Sequence, residues 1–250
     1  MNQISRRTFT HGTLGSLLTF SLLESLYSHD VFLDGIKPVT AKWIAELNDL
    51  AASVKQQKLT QVQWQNQVES LMKRVNLVEL MDFVDFDKLT RHLKYAERGE
   101  KPIRYSFPQV EGLPTNLVFG HQIFAMEKGR AIAPHGHNNM ATAFLVLKGR
   151  CHGRHYDRIE DEKDFLIIRP TIDRHFDVGG YSTISDHKDN IHWFEATSEN
   201  AFIFNIHVLN IDSSIKRGGR VYVDPEGEKL AQGLIKAKRL THKEAYQKFG

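Results

Sequence analysis

The chain has a single cysteine, Cys151. It therefore has no intramolecular disulfide, and the fold must be held by its core alone in whatever compartment it occupies. Beyond the N-terminal segment there is no run of eighteen apolar residues, so no stable membrane span is expected there. Charge of one sign is also lacking: 33 Lys and Arg face 30 Asp and Glu, for a formal net charge of +3. The basic clusters at Lys216-Arg217 and Lys236 to Arg239 are short, flanked by acidic residues and free of interleaved aromatics. They read as solvated surface, and no nucleic-acid partner is expected. No internal repeat or low-complexity stretch occurs, which excludes a solenoid. With 41% hydrophobic residues over 250 positions, the chain can bury one good core and a smaller helical annex.

The text of the chain changes along its length. Ser5-Arg6-Arg7-Thr8-Phe9 and a mildly apolar segment from Leu14 to Leu26 resemble a twin-arginine export signal over residues 1–29. That resemblance implies the twin-arginine machinery as a partner and a periplasmic location, with the protein anchored if the segment stays uncleaved. No Ala-x-Ala site stands out, and Glu24 leaves a short amphipathic cytoplasmic helix as the alternative. Residues 40–98 carry helical spacing: Trp43, Leu47, Leu50 and Val54 behind a Thr40 N-cap, then Trp64, Val68, Leu71 and Val75 behind Thr60. A less regular helical stretch follows from Val78 to Tyr95. These stripes read as packing faces, against the outside of a barrel or in a homodimer.

From 103 to 225 the texture is that of short strands bounded by Gly, Pro, Asp and Asn. Strands are expected at Leu117 to Ala125, Thr142 to Leu147, Gly153 to Asp157, Phe165 to Ile168, Ile191 to Ala196 and Ala201 to Leu209. A tail at 226–250 completes the chain, with a short helix expected at Leu230 to Lys238 and a capping box at Thr241 to Glu244.

Within the strand-rich region, Gly129, His135, His137 and Gly149 recur at a distinctive spacing. Two histidines at i and i+2 on a strand share one face, so both imidazoles can reach one ion. The best third ligand is His192, in the strand-like run Asn190-Ile-His192-Trp-Phe. This pattern resembles the cupin motifs, with Thr142 where the first motif carries a glutamate and with His187 and Asp189 in place of the second motif's Pro-x-Gly. The resemblance implies a mainly β fold: a cupin double-stranded β-helix, or jelly-roll, barrel with an N-terminal helical extension and a short C-terminal helical tail. Three neutral imidazoles suit iron, nickel, copper or zinc and leave the ion more positive than a set with a carboxylate would.

His135-Gly-His137-Asn-Asn-Met140 leading to Val146-Leu-Lys-Gly149, with Asn190-Ile-His192 and Ala201-Phe-Ile-Phe-Asn205-Ile206, is similar to the thiol dioxygenases of the cysteamine dioxygenase and plant cysteine oxidase type. Asn138-Asn139 stand for that family's Pro-Gly, Asn205 stands for its aspartate, and its Pro-Pro-Tyr is absent. The resemblance implies Fe(II) on His135, His137 and His192, with O2 and a small thiol as substrates and a sulfinate as product. Asn205 and His207 share a strand face and are candidates to orient a ligand or a metal-bound oxygen. Arg154 and Tyr156 are candidates to bind a substrate carboxylate. Cys151 reads as an ordinary buried thiol. His152, His155 and His175 read as surface or structural, and His187 as the histidine best placed to approach the pocket. Two alternatives stand beside this reading: another metal-dependent cupin dioxygenase, and a non-catalytic periplasmic protein that binds a metal or small molecule.

Overall fold

The computed structural model describes residues 29–215 and 219–250, so the Arg6-Arg7 segment and the Lys216-Arg217 pair lie outside the described residues. Among the described residues four helices come first: α1 (His29–Lys55), α2 (Gln61–Met72), α3 (Leu77–Phe83) and α4 (Phe86–Thr90). Strands follow as β1 (Lys101–Ile103), β2 (Gly120–Glu127), β3 (Ala131–Asn138), β4 (Met140–Lys148), β5 (Cys151–Asp161), β6 (Phe165–Phe176), β7 (Tyr181–Ile184), β8 (Ile191–Ala196), β9 (Asn200–Leu209), β10 (Gly219–Lys229) and β11 (Ile235–Leu240). Helix α5 (His242–Phe249) ends the chain. No helix among the described residues is long and apolar enough to cross a membrane.

The strands form two antiparallel sheets facing each other, the jelly-roll arrangement of a cupin barrel. The first has the order β1-β2-β9-β4-β7. It is buried on both faces, so β4 and β9 read as continuous apolar runs. Ala141, Ala143, Leu145 and Leu147 of β4, with Phe202, Phe204, Ile206 and Val208 of β9, pack outward against Trp43, Leu47, Trp64 and Leu71 of α1 and α2. The helical stripes therefore lie on the outside of the barrel. Alternate residues Phe144, Val146, Ala201 and Ile203 face inward and meet Ile132, Phe176 and Phe194 from the other sheet.

The second sheet has the order β10-β11-β6-β5-β8-β3, and because β10 also pairs with β3 it closes on itself. This ring is filled by Tyr156, Leu166, Ile168, Ile191, Val223 and Ala237. Two compartments thus share strands β3, β5 and β8: a small closed barrel with an apolar fill, and the larger cup between the sheets.

Three local expectations need correction. Thr40 does not cap a helix, because α1 runs from His29 through it and Thr40 is itself buried. The stretch from Val78 to Tyr95 is split into α3 and α4 at Asp85, which adopts a left-handed φ of 53°. Leu230 to Lys238 is not a helix. Gln232 and Gly233 turn the chain with φ of 59° and 73°, and β11 then pairs with both β10 and β6 to close the small barrel. Strand pairing here overrides the helical preference of Lys and Ala. The Thr60 and Thr241 capping boxes both form, with Gln63 and Glu244.

Candidate metal centre

Strand β3 aims its histidines through an irregularity. Ile132 pairs with Phe194 and His135 with His192, so β3 carries one more residue than β8 between those points. Pro134, which has no N–H to give a ladder, sits in that bulge. The extra residue changes the phase of the strand. Ala133 packs outward against Ala245 and Phe249 of α5, while His135 and His137 turn into the cup. Between them, Gly136 faces the small barrel, where an added Cβ would lie 2.5 Å from Asn190 Oδ1 and 3.0 Å from Ile191 Cγ1. The side chain of Asn190 cannot readily retreat, since its Nδ2 donates to the carbonyls of His137 and Ser185 at 2.9 Å each. The same two bonds tie the start of β8 to β3, and so His192 to its partners.

His135, His137 and His192 converge with their ligand nitrogens all within 4.8 Å of one another. They are 2%, 3% and 1% exposed. Burial, the first cause, makes the imidazolium forms costly and pushes all three pKa values far down, His135 to about 3, with the charge of Arg220 adding to the effect. Each ring is held neutral, the state in which a nitrogen lone pair can be given to a cation.

The pattern of hydrogen bonds fits an ion. His135 Nδ1 donates to the Ala133 carbonyl at 2.8 Å, leaving Nε2 free. Thr142 Oγ1 lies 3.3 Å from His137 Nδ1. His137 Nε2 and His192 Nδ1 are buried and find no partner among the described residues, an arrangement costly to leave unsatisfied. Thr142 thus sets a neutral hydroxyl behind the His137 ring, where it can fix the ring's orientation. The cluster could hold a metal ion on three neutral nitrogen donors.

The site opens into a cavity of about 800 Å³. Its walls near the histidines include Phe144, Asn205 and His207 from the first sheet and Arg220 from β10. Asn205 and His207 do share the inward face of β9, as the sequence implied. Gln122 Nε2 donates to Asn205 Oδ1 at 3.3 Å, and His207 Nδ1 lies 3.4 Å from the same oxygen. Burial, then Arg220 and His121, push the pKa of His207 down to about 4.

Arg154 and Tyr156 lie elsewhere. On β5, His155 pairs with His192 and points inward, so the residues on either side face away from the cup. Arg154 stacks on Trp193 at 4.1 Å and approaches Glu195 at 3.4 Å, and Tyr156 belongs to the fill of the small barrel. They share a face, but it is the one turned from the cavity. His187 is also displaced: it lines a separate cleft between α2 and the barrel with Gln61, Asn139 and Asp186. Cys151 is buried, and burial pushes its thiol up to about 12. His152 and His175 stack on each other on the outer surface. His155 is fully buried against Phe176 and Phe194. Gln122, Glu100 and Arg220 were not singled out from sequence. Gln122 carries no motif, and Arg220 is hidden in the Lys216-Arg-Gly-Gly-Arg220 cluster that reads as solvated surface.

No family model matches the chain, and no curated protein matches it. Solved structures resemble parts of it. A conserved protein with a double-stranded β-helix domain from Klebsiella pneumoniae is 15% identical with a TM-score of 0.35, covering 54% of this chain and 87% of its own. Pumpkin seed globulin is 10% identical with a TM-score of 0.36, over 54% of this chain and 31% of that one. Procruciferin, an 11S globulin of Brassica napus, is 14% identical with a TM-score of 0.31, over 42% of this chain and 23% of that one. The chain spans less than a third of either globulin, and the assignment of the barrel rests on its own strand order.

Proposed function

We propose that this chain is a non-haem iron dioxygenase that binds Fe(II) through His135, His137 and His192 and oxidises a thiol to a sulfinate. The observation that carries the reading is the donor set: three buried neutral imidazoles, two with orphaned nitrogens, and a hydroxyl from Thr142 where a carboxylate would otherwise reduce the charge of the ion. A cation so held favours an anionic co-ligand such as thiolate. Iron held by His135, His137 and His192 would supply a site that lowers the pKa of a coordinated thiol and activates O2.

The chain's own groups then position the reactants. Asn205 has its Oδ1 occupied by Gln122 and His207, so its Nδ2 hydrogens are the donors left for a ligand oxygen. His207, with its pKa lowered to about 4, stays neutral and weakly basic near pH 7, which makes it a positioning residue. Ile132 and Phe144 line the cavity beside the histidines and keep bulk water from that side. An export step before function follows from the Arg6-Arg7 motif, and retention of Arg6→Lys, Arg7→Lys protein in the cytoplasm would support it.

The test is metal content of untagged protein, followed by oxygen uptake after anaerobic loading with iron. Cysteamine, cysteine, 3-mercaptopropionate and a peptide with N-terminal cysteine would be offered in turn. Uptake that depends on a thiol and yields a sulfinate supports the proposal. Tight metal without uptake on any thiol refutes it, and favours a binding protein or a cupin of another activity.

A further inference from the structure

The wall of the cavity carries a permanent cation next to the histidine cluster. On β10, Arg220 is the direct cross-strand partner of His137 on β3, one strand spacing of about 4.8 Å away. Directly opposed residues project to the same side of a sheet, and Arg220 lines the same cavity as the three histidines. Its charge reaches His135, His137, His192 and His207, lowering the basicity of each. Its guanidinium is exposed to solvent and makes no hydrogen bond or ion pair with another described side chain. The acidic group nearest it in the cavity wall, Glu100, has both carboxylate oxygens bonded by the Tyr246 hydroxyl at 2.8 Å.

We propose that Arg220 is the anchor for an acid group on the ligand, so that the site takes an anion with one donor for the metal and a carboxylate for Arg220. The choice of ligand class deepens the metal-site reading and rests on it. Three neutral imidazoles leave an ion's full charge uncompensated, and Arg220 adds to it on the same wall. Arg104, also lining the cavity, contributes the same sign. A ligand with a carboxylate is drawn to this field, whereas an aminothiol brings its ammonium into it. The guanidinium fork also matches a carboxylate in two parallel hydrogen bonds. At roughly 30 Å³ for each water-sized group, a cavity of about 800 Å³ has room for a ligand that spans from the histidines to β10.

The test uses the full chain loaded with Co(II), whose visible absorption reports ligand binding without turnover. Two matched pairs of probes differ in the acid group: 3-mercaptopropionate against cysteamine, and 3,4-dihydroxybenzoate against catechol. The acid-bearing member of a pair should bind about tenfold tighter or more, as expected for a hydrogen-bonded charge. Arg220→Gln should bring the pair to within about twofold, and Arg220→Lys should fall between. Unchanged cobalt content in the variants confirms that the fold and the ligand set persist. Preference confined to the catechol pair, with no spectral response to either thiol, would keep the anchor and overturn the thiol reading. Equal affinities within both pairs, no binding by either acid, or a preference that survives Arg220→Gln would overturn the anchor.

Discussion

Strand β3 serves two compartments of opposite character. On one side Gly136 faces the small barrel, whose six-residue fill of Tyr156, Leu166, Ile168, Ile191, Val223 and Ala237 leaves no room for a further Cβ. On the other side His135 and His137 face the cup, where apolar packing stops at Phe144 and a cavity begins. The closed ring is a device for stiffness: every strand in it has two partners, so it has no edge to fray. The cup spends that stiffness on holding three imidazoles together at a place where the core is left unfilled. Rigidity and unsatisfied polarity are therefore adjacent, separated by one strand.

The sharpest way to break this comparison is to remove one member from each side. His192→Ala deletes a ligand and should abolish metal retention, a larger loss than the roughly 10–100-fold that a supporting partner costs; metal analysis after dialysis reads it. Retention at the wild-type level would move the third ligand to His207, which shares the cavity, and away from His187, which does not. Ile168→Ala, fully buried in the small barrel, should instead cost about 2–5 kcal/mol in urea unfolding of the metal-free protein. Its folded fraction should bind metal with unchanged affinity. A parallel loss of affinity would show that the two compartments are mechanically coupled.

A finer probe of the cup is Thr142→Val, which keeps the shape and deletes the hydroxyl that lies 3.3 Å from His137 Nδ1. Metal affinity should fall about 10–100-fold, measured by competition with a chelator. Little change would mean that the backbone alone fixes the ring of His137.

Acid should weaken the metal-free protein through the buried imidazoles. For His155, burial lowers the folded pKa to about 3, while an unfolded histidine titrates near 6.5. Between those values the unfolded chain takes up a proton that the folded chain does not. The contribution to stability is complete above about pH 6.5 and is lost as pH falls toward the folded pKa, at about 1.4 kcal/mol per pH unit. Urea unfolding of metal-free wild type and His155→Leu at pH 7 and pH 5 should show the variant losing about 2 kcal/mol less. Equal losses would mean that His155 gains its proton without unfolding.

The part of this comparison legible in the sequence is the part written in short periods. The shared face of His135 with His137 and that of Asn205 with His207 follow from strand alternation, while His192 as the candidate third ligand is read from the resemblance of Asn190-Ile-His192 to a second cupin motif. The Thr241 cap follows from its capping box, and Thr60 from its place just ahead of the helical spacing that begins at Trp64. The closed ring was not legible, because β10 and β11 carry few apolar residues, and their burial comes from pairing across the chain. Arg220 escaped notice for the same reason: its role depends on standing opposite His137, 83 positions away in the sequence and one strand away in space. The bulge at Pro134 shows the limit from the other side. Strict alternation from Ala133 would have turned His135 outward, and only the inserted residue brings it to His192.

The smallest expected effect concerns a residue whose chemistry suggested a role that its position denies. Arg154 has the charge to hold a carboxylate, but His155, its neighbour, faces His192, and alternation then sends the guanidinium to the outer surface over Trp193 at 4.1 Å. A cation over an indole at a partly exposed site contributes about 0.5–1 kcal/mol, and the 3.4 Å approach to Glu195 adds little where solvent screens it. Arg154→Ala should therefore lower stability by about 1 kcal/mol or less and leave ligand affinity at the metal site unchanged, in contrast to Arg220→Gln. Paired cobalt titrations of the two variants with the same acid-bearing probe would sharpen the point. A loss of affinity in Arg154→Ala as large as that in Arg220→Gln would mean that the ligand is read by the field of the whole wall, with no single arginine as its anchor.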